Sequence, residues 1–147
     1  MAHRSAVMIA LLGALFAAPA AKAQSADEAT GMWQTQAGDA RVRVTKCGGG
    51  LCATVASLRD KIDPKTGKPP VDDKNPDPAK ATRPMIGLHL FINMQPVGQN
   101  RWSGQIYNAD DGKVYASNVS VAGPDTLKVE GCVGAFCGGE NWTRVGR

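Results

Sequence analysis

Residues 101–121, Arg-Trp-Ser-Gly-Gln-Ile-Tyr-Asn-Ala-Asp-Asp-Gly-Lys-Val-Tyr-Ala-Ser-Asn-Val-Ser-Val, restrict the fold more than any other stretch of this 147-residue chain. Trp102, Gly104 and Ile106 alternate with Ser103 and Gln105. Beyond a turn, Tyr115, Ser117, Val119 and Val121 alternate with Ala116, Asn118 and Ser120. Period-two alternation marks strands with one buried face. Between them, Ala109-Asp110-Asp111-Gly112 suits a four-residue hairpin loop ended by Gly112 in the left-handed conformation. Pairing Asn108 with Lys113 sets Ile106 opposite Tyr115 and Trp102 opposite Val119, all on one face. A slip of one residue would set Trp102 against Asn118, so the apolar pattern itself selects the register.

The remaining segments read the same way. Strands are predicted over 31–36 (Trp33 and Thr35 on one face), 40–46 (Val42 and Val44 inward), 52–58, 85–94, 126–131 (Leu127 and Val129) and 140–145 (Trp142 and Arg144 alternating with Asn141 and Thr143). Gly38-Asp39, Gly48-Gly49-Gly50, Pro96 with Gly98, and Gly123-Pro124-Asp125 supply the turns. Residues 85–94 are apolar on both faces. Ile86, Leu88, Leu90, Ile92 and Met94 fall on one face, Met85, Gly87, His89, Phe91 and Asn93 on the other. Such a strand is covered on both sides or lines a cavity, and alternation does not say which face points inward. Eight short antiparallel strands in meander order predict an all-β, up-and-down barrel, which removes its own sheet edges. A β-sandwich is the alternative.

Residues 59–84 break this rhythm with six prolines, five lysines and five aspartates. No regular element survives that density of proline. A connection of this length in a small domain is unusual and often functional.

The first 23 residues read as a cleaved signal peptide. Met1-Ala-His-Arg4 is a positive head, Val7 to Ala18 is an apolar run too short to span a bilayer, and Ala21-Lys22-Ala23 is an A-x-A cleavage site. The mature chain, 24–147, is then a single barrel domain exported to the periplasm or secreted, with no integral membrane segment. Removing Arg4 and Lys22 lowers the formal charge from +4 to +2. The cations are scattered among aspartates with no interleaved aromatics, a pattern that speaks against a nucleic-acid partner.

Cys47, Cys52, Cys132 and Cys137 form two pairs with the same spacing, each beside a strand-to-strand turn. In an exported chain this predicts disulfides 47–52 and 132–137, because a short hairpin loop brings its flanks to bridging distance. A four-cysteine zinc site is the rival reading, at the upper end of zinc-ligand spacing and disfavoured outside the cytosol. No metal and no cofactor is expected.

Two resemblances extend these readings. The mature chain resembles a family of small exported bacterial proteins catalogued as domain of unknown function 2147. The features that carry it are Gly31-Met-Trp33, the Cys47/Cys52 loop, Asp73-Lys-Asn75-Pro-Asp77, Arg83-Pro84-Met-Ile-Gly87, Trp102-Ser-Gly104, Gly112-Lys113-Val-Tyr115, Gly131-Cys132 and Trp142-Thr-Arg144. Gly-x-Trp in the first strand with an arginine in the last also resembles the closing signature of the lipocalin and related calycin barrels. That resemblance implies that Trp33 packs beneath the barrel with Arg144 over its ring, a cation–π contact worth about 0.5–2 kcal/mol.

Chemistry is sparse. His89 is the one histidine of the mature chain and has no carboxylate near it in sequence. No nucleophile, base and orienting group can be assembled, so no catalytic residue is assigned. Asp73, Asn75 and Asp77 have the spacing that opens a calcium loop, but Pro78 and Pro84 stand where that loop needs Gly and Glu. Asx-turns in a loop anchored by Arg83 explain them better. Met85, His89, Phe91, Trp102 and Tyr115 are the candidate lining of a small-ligand pocket, against the alternative of a packed interior. The chain therefore reads as an exported, non-catalytic barrel for a small, partly apolar ligand, with the 59–84 loop over one mouth. The alternative is a filled barrel, an interaction or structural module that holds an envelope protein or cell-wall material through that loop and its outer face.

Overall fold

The computed structural model describes residues 26–147; the predicted signal peptide lies outside the described residues. A short 3-10 turn, Ala26–Glu28, precedes β1 (Gly31–Gln34), β2 (Ala40–Cys47), β3 (Gly50–Leu58), β4 (Phe91–Gly98), β5 (Arg101–Asn108), β6 (Lys113–Gly123), β7 (Thr126–Val133) and β8 (Phe136–Gly146). Each strand pairs antiparallel with the next, and β8 returns to β1, so the sheet is a closed eight-stranded barrel. The β5–β6 hairpin has the register that its apolar pattern demands: Asn108 faces Lys113, Ile106 faces Tyr115 and Trp102 faces Val119.

Two expectations need correction. Strand 85–94 is displaced toward the C-terminus and its alternation is broken. Gly87 (φ 91°) and Asn93 (φ 48°) leave the extended region, and the β4–β5 register shifts between Ile92 and Gln95. As a result Phe91 and Met94 both enter the core, while Ile86 is exposed. Residues 87–90 still pair with the sheet: Leu88 O accepts from Val55 N at 3.0 Å, and Leu90 bridges Ala53 and Tyr107 at 2.8 Å each. The cysteine loops are also tighter than expected. Both hairpins close in two-residue turns: Cys47 ends β2 and faces Gly50, while β7 and β8 run on past Cys132 and Cys137, which face each other. Disulfides Cys47–Cys52 (Cα–Cα 5.7 Å) and Cys132–Cys137 (4.1 Å) staple these two hairpins, and no described cysteine is free for zinc. Such bonds belong to an oxidising compartment.

The odd-numbered hairpins open at one end of the barrel and the chain termini lie at the other. The terminal end is packed solid. Trp33, Val44, Met94, Val119 and Leu127 are each at most 1% exposed, with Leu51 and Trp102 beside them. Burial of each aliphatic side chain contributes roughly 1.5–3 kcal/mol.

The seam closes over Trp33. Its indole N–H donates to Ala29 O at 2.9 Å, and the Arg144 guanidinium lies 4.2 Å from its ring centroid. Arg144 also donates to the carbonyls of Pro124 (2.9 Å), Thr30 (2.7 Å) and Glu28 (2.5 Å). Gly31 makes the room: a Cβ there would stand 2.7 Å from both Arg144 Nη1 and Gly146 O, and its φ of 132° disfavours any side chain. One cation thus ties the 3-10 turn, β1, the β6–β7 turn and β8. Replacing it by an apolar side chain removes the cation–π contact and the charged hydrogen bonds to three carbonyls, that of Thr30 partly buried. Arg144→Met should lower the unfolding free energy in urea by about 3 kcal/mol, and Arg144→Lys by less.

Candidate functional site: a cup at the open end of the barrel

At the other end the barrel is hollow. A cavity of about 670 Å³ opens between the β1–β2, β5–β6 and β7–β8 hairpins. Val42, Val55, Leu90, Ile106 and Val129 form its apolar wall, and Trp142 forms its floor. Trp142 is itself backed by Phe91, with ring centroids 6.0 Å apart and planes 7° from parallel. The space exists because the inward positions near this mouth are small. Gly131 faces Gly138 across β7 and β8, where bulky side chains fill the opposite end. Val133 (67% exposed) and Phe136 (85%) stand on the rim, at the hairpin tip stapled by Cys132–Cys137.

Of the five residues expected to line a pocket, Met85 and Tyr115 do so. Phe91, opposite Ile106, stacks on Trp142 and is not part of the cavity lining. Trp102 belongs to the packed end, because it sits four residues down β5 from Ile106. His89 faces away from the cavity: it is exposed, and its Nδ1 lies 3.4 Å from Thr54 Oγ1 on the bridge between their backbones. The irregular start of β4 carries it to that side. Glu140, Ile106 and Val129 were missed, although period two from Trp142 already places Glu140 on the inward face of β8.

The charged groups of the cup are all acidic. Asp39 and Asp110 sit at the rim, and Glu140 projects from the wall, where it accepts the Trp142 indole N–H. Thr35 Oγ1 donates to Asp39 Oδ1, and Tyr115 OH donates to Asp111 Oδ2. That last bond lowers the Asp111 pKa and raises that of Tyr115. Below the cavity, Ser117 Oγ is buried and has no hydrogen-bond partner.

The 59–84 loop does not cross the mouth, and none of its residues lines the cavity. It docks on the β5–β6 hairpin beside it. Of the residues expected to anchor it, Arg83 and Asn75 do so, through the fully buried Asp72; Asp73 and Asp77 are exposed. Asp72 Oδ1 accepts Tyr107 OH at 2.6 Å. Its Oδ2 accepts Asn75 Nδ2 and Arg83 Nε, both at 2.9 Å, with Arg83 Nη2 at the same distance. Arg83 lies 5.6 Å over the Tyr107 ring. Asn75 Oδ1 caps Asp77 N and Asp77 Oδ1 caps Ala79 N, each at 3.0 Å, so these side chains form Asx-turns. Gly112 receives the loop, since a Cβ there would lie 1.9 Å from Lys74 O. Burial, then the bond to Asp72, raises the Tyr107 pKa.

In these respects the molecule has the architecture of a lipocalin-like barrel: eight strands, one sealed end with an arginine over a tryptophan, and one open cup. A solved structure, described as "Protein HP1028 from the human pathogen Helicobacter pylori belongs to the lipocalin family", superimposes with a TM-score of 0.65 at 24% identity, covering 79% of this chain and 82% of that one. Residues 31–144 match a family described as an uncharacterized protein conserved in bacteria, DUF2147, and the chain belongs to that family. No curated protein matches the sequence.

Two outcomes follow from the anchor and the tyrosines. Asp72→Ala leaves Arg83 and Tyr107 without their acceptor; it should cost about 3 kcal/mol and speed tryptic cleavage after Lys74 and Lys80. Both of the chain's tyrosines have folded pKa values above the ordinary value of about 10. The stability they contribute is therefore full below that pH and is lost as pH rises through the folded values. In a spectrophotometric titration, phenolate absorbance should develop at higher pH in native than in urea-unfolded protein. Tyr107→Phe should flatten the alkaline loss of stability.

Proposed function

We propose that the protein is an exported, non-catalytic carrier that holds a small, partly apolar molecule in the cup, within the periplasm or outside the cell. The observation that carries this reading is the cavity itself, about 670 Å³ of largely apolar space open at one end of the barrel. Clefts of this size and character are the usual small-molecule sites. Export is supported by the signal-like leader and by two disulfides. In this reading Met85 and Tyr115 contact the ligand, with Leu90, Ile106, Val129 and Trp142.

The partner reading, an envelope protein held by the 59–84 loop, draws on one observation: Ile62 is 53% exposed on a loop that is firmly anchored. The two readings separate at Gly131. A Cβ there would meet Tyr115 Cβ at 3.6 Å and Ile106 Cγ2 at 4.0 Å, ordinary contacts, so a larger side chain fits locally and fills the cup. The carrier should bind the neutral probe N-phenyl-1-naphthylamine with fluorescence enhancement and a Kd of about micromolar. Gly131→Phe should abolish that binding and leave the loop surface unchanged. Wild-type protein that neither binds the probe nor retains a small molecule in native mass spectrometry after purification from its own host would refute the carrier reading.

A further inference from the structure

Charge is divided unevenly in this molecule. The chain carries 17 lysines and arginines against 13 acidic residues, yet the cup has none of that excess. Asp39, Asp110 and Glu140 line it, and no lysine, arginine or histidine does. Glu140 is the informative one. It stands on an inward-facing position of β8, opposite Val129 and two residues from buried Trp142, where a barrel wall is ordinarily apolar. The Trp142 indole N–H holds one of its oxygens. Among the described residues, no cation lies within ion-pair distance of it, although Lys128 on the neighbouring strand pairs with Glu130 on the outer face.

A half-buried carboxylate on an apolar wall without a cationic partner fixes a negative charge inside the cup, and a ligand that brings a cation pairs with it. The same group repels an anionic head, more strongly once the cup is closed to water. We therefore infer that the cup selects an amphiphile with a cationic nitrogen head, its apolar body against Leu90, Ile106 and Val129 and its head at Glu140, with Asp110 and Asp39 at the rim favouring entry. The Trp142 ring beside Glu140 offers a π face to the same cation. This inference rests on the carrier reading and narrows it to a ligand class.

The test uses three probes with one decyl chain and different heads, decyltrimethylammonium, decanol and decanoate, each titrated calorimetrically below its micelle concentration. The ammonium should bind about tenfold or more tighter than the carboxylate, with decanol between, and the difference should shrink as salt is added. Glu140→Gln keeps the acceptor for the Trp142 indole but not the charge, and should cut the ammonium-to-carboxylate ratio at least threefold; Asp110→Asn should cut it less. Gly131→Phe should remove binding of all three. Equal affinity for the three heads would overturn the head-group assignment and leave the carrier reading standing. Binding of none would overturn both. A ratio unmoved by Glu140→Gln, or ammonium binding that survives Gly131→Phe, would also overturn the assignment by placing the cation elsewhere.

Discussion

Arg144 sits where the barrel has to join its own ends. Six of the eight strand pairs are joined by a hairpin; β1, four residues long, meets β8 without one and across a register shift. A short seam of this kind frays unless something else binds it. The guanidinium supplies that: it covers the Trp33 ring and donates to three main-chain carbonyls from two other segments. Its planar fork of donors suits this task, and an ammonium has no equivalent geometry. Burial, with Arg147 adding to it, lowers the Arg144 pKa, while Asp125 and Glu28 oppose that effect.

Sealing one end frees the other. The interior is divided by side-chain size. Trp33, Trp102 and Met94 fill the layers near the termini, and Gly131 and Gly138 leave the layers near the odd-numbered hairpins empty. The same closed ladder therefore gives a rigid base and a cup. The rim is stiffened by the Cys132–Cys137 disulfide, by the Tyr115–Asp111 bond and by the loop docked through Asp72. A cup with a rigid rim loses little conformational entropy when it is filled, which favours tight binding of a small ligand.

The loop shows how burial changes the meaning of a charge. Asp73, Asn75 and Asp77 attract notice by their spacing, yet Asp73 and Asp77 are exposed, and of the three only Asn75 reaches the anchor, donating to Asp72 Oδ2 and Tyr107 OH. Asp72, one position away, is the residue that matters to the fold. It is fully buried because Tyr107 lies on the face of β5 opposite Ile106 and needs a partner for its hydroxyl. Nothing in the local pattern of residues 72–77 distinguishes the two aspartates. The distinction arises only when the loop is laid on the β5–β6 hairpin, where Gly112 admits its backbone.

Strand number, hairpin register and disulfide pairing were legible in the chain, because each depends on spacing over a few residues or on a two-residue period; the closing Trp33–Arg144 pair, from opposite ends of the chain, was implied only by the resemblance to calycin barrels. The 85–94 segment was not, because its apolar residues permit either face and the breaks at Gly87 and Asn93 are set by how β3 and β5 grip it. The cup also belongs to the tertiary level. Whether a barrel is filled or hollow depends on the summed volumes of side chains from eight strands, and the partner of Glu140 or Asp72 depends on what those strands bring near. Local pattern decides which way a residue points; only the closed sheet decides what it meets there.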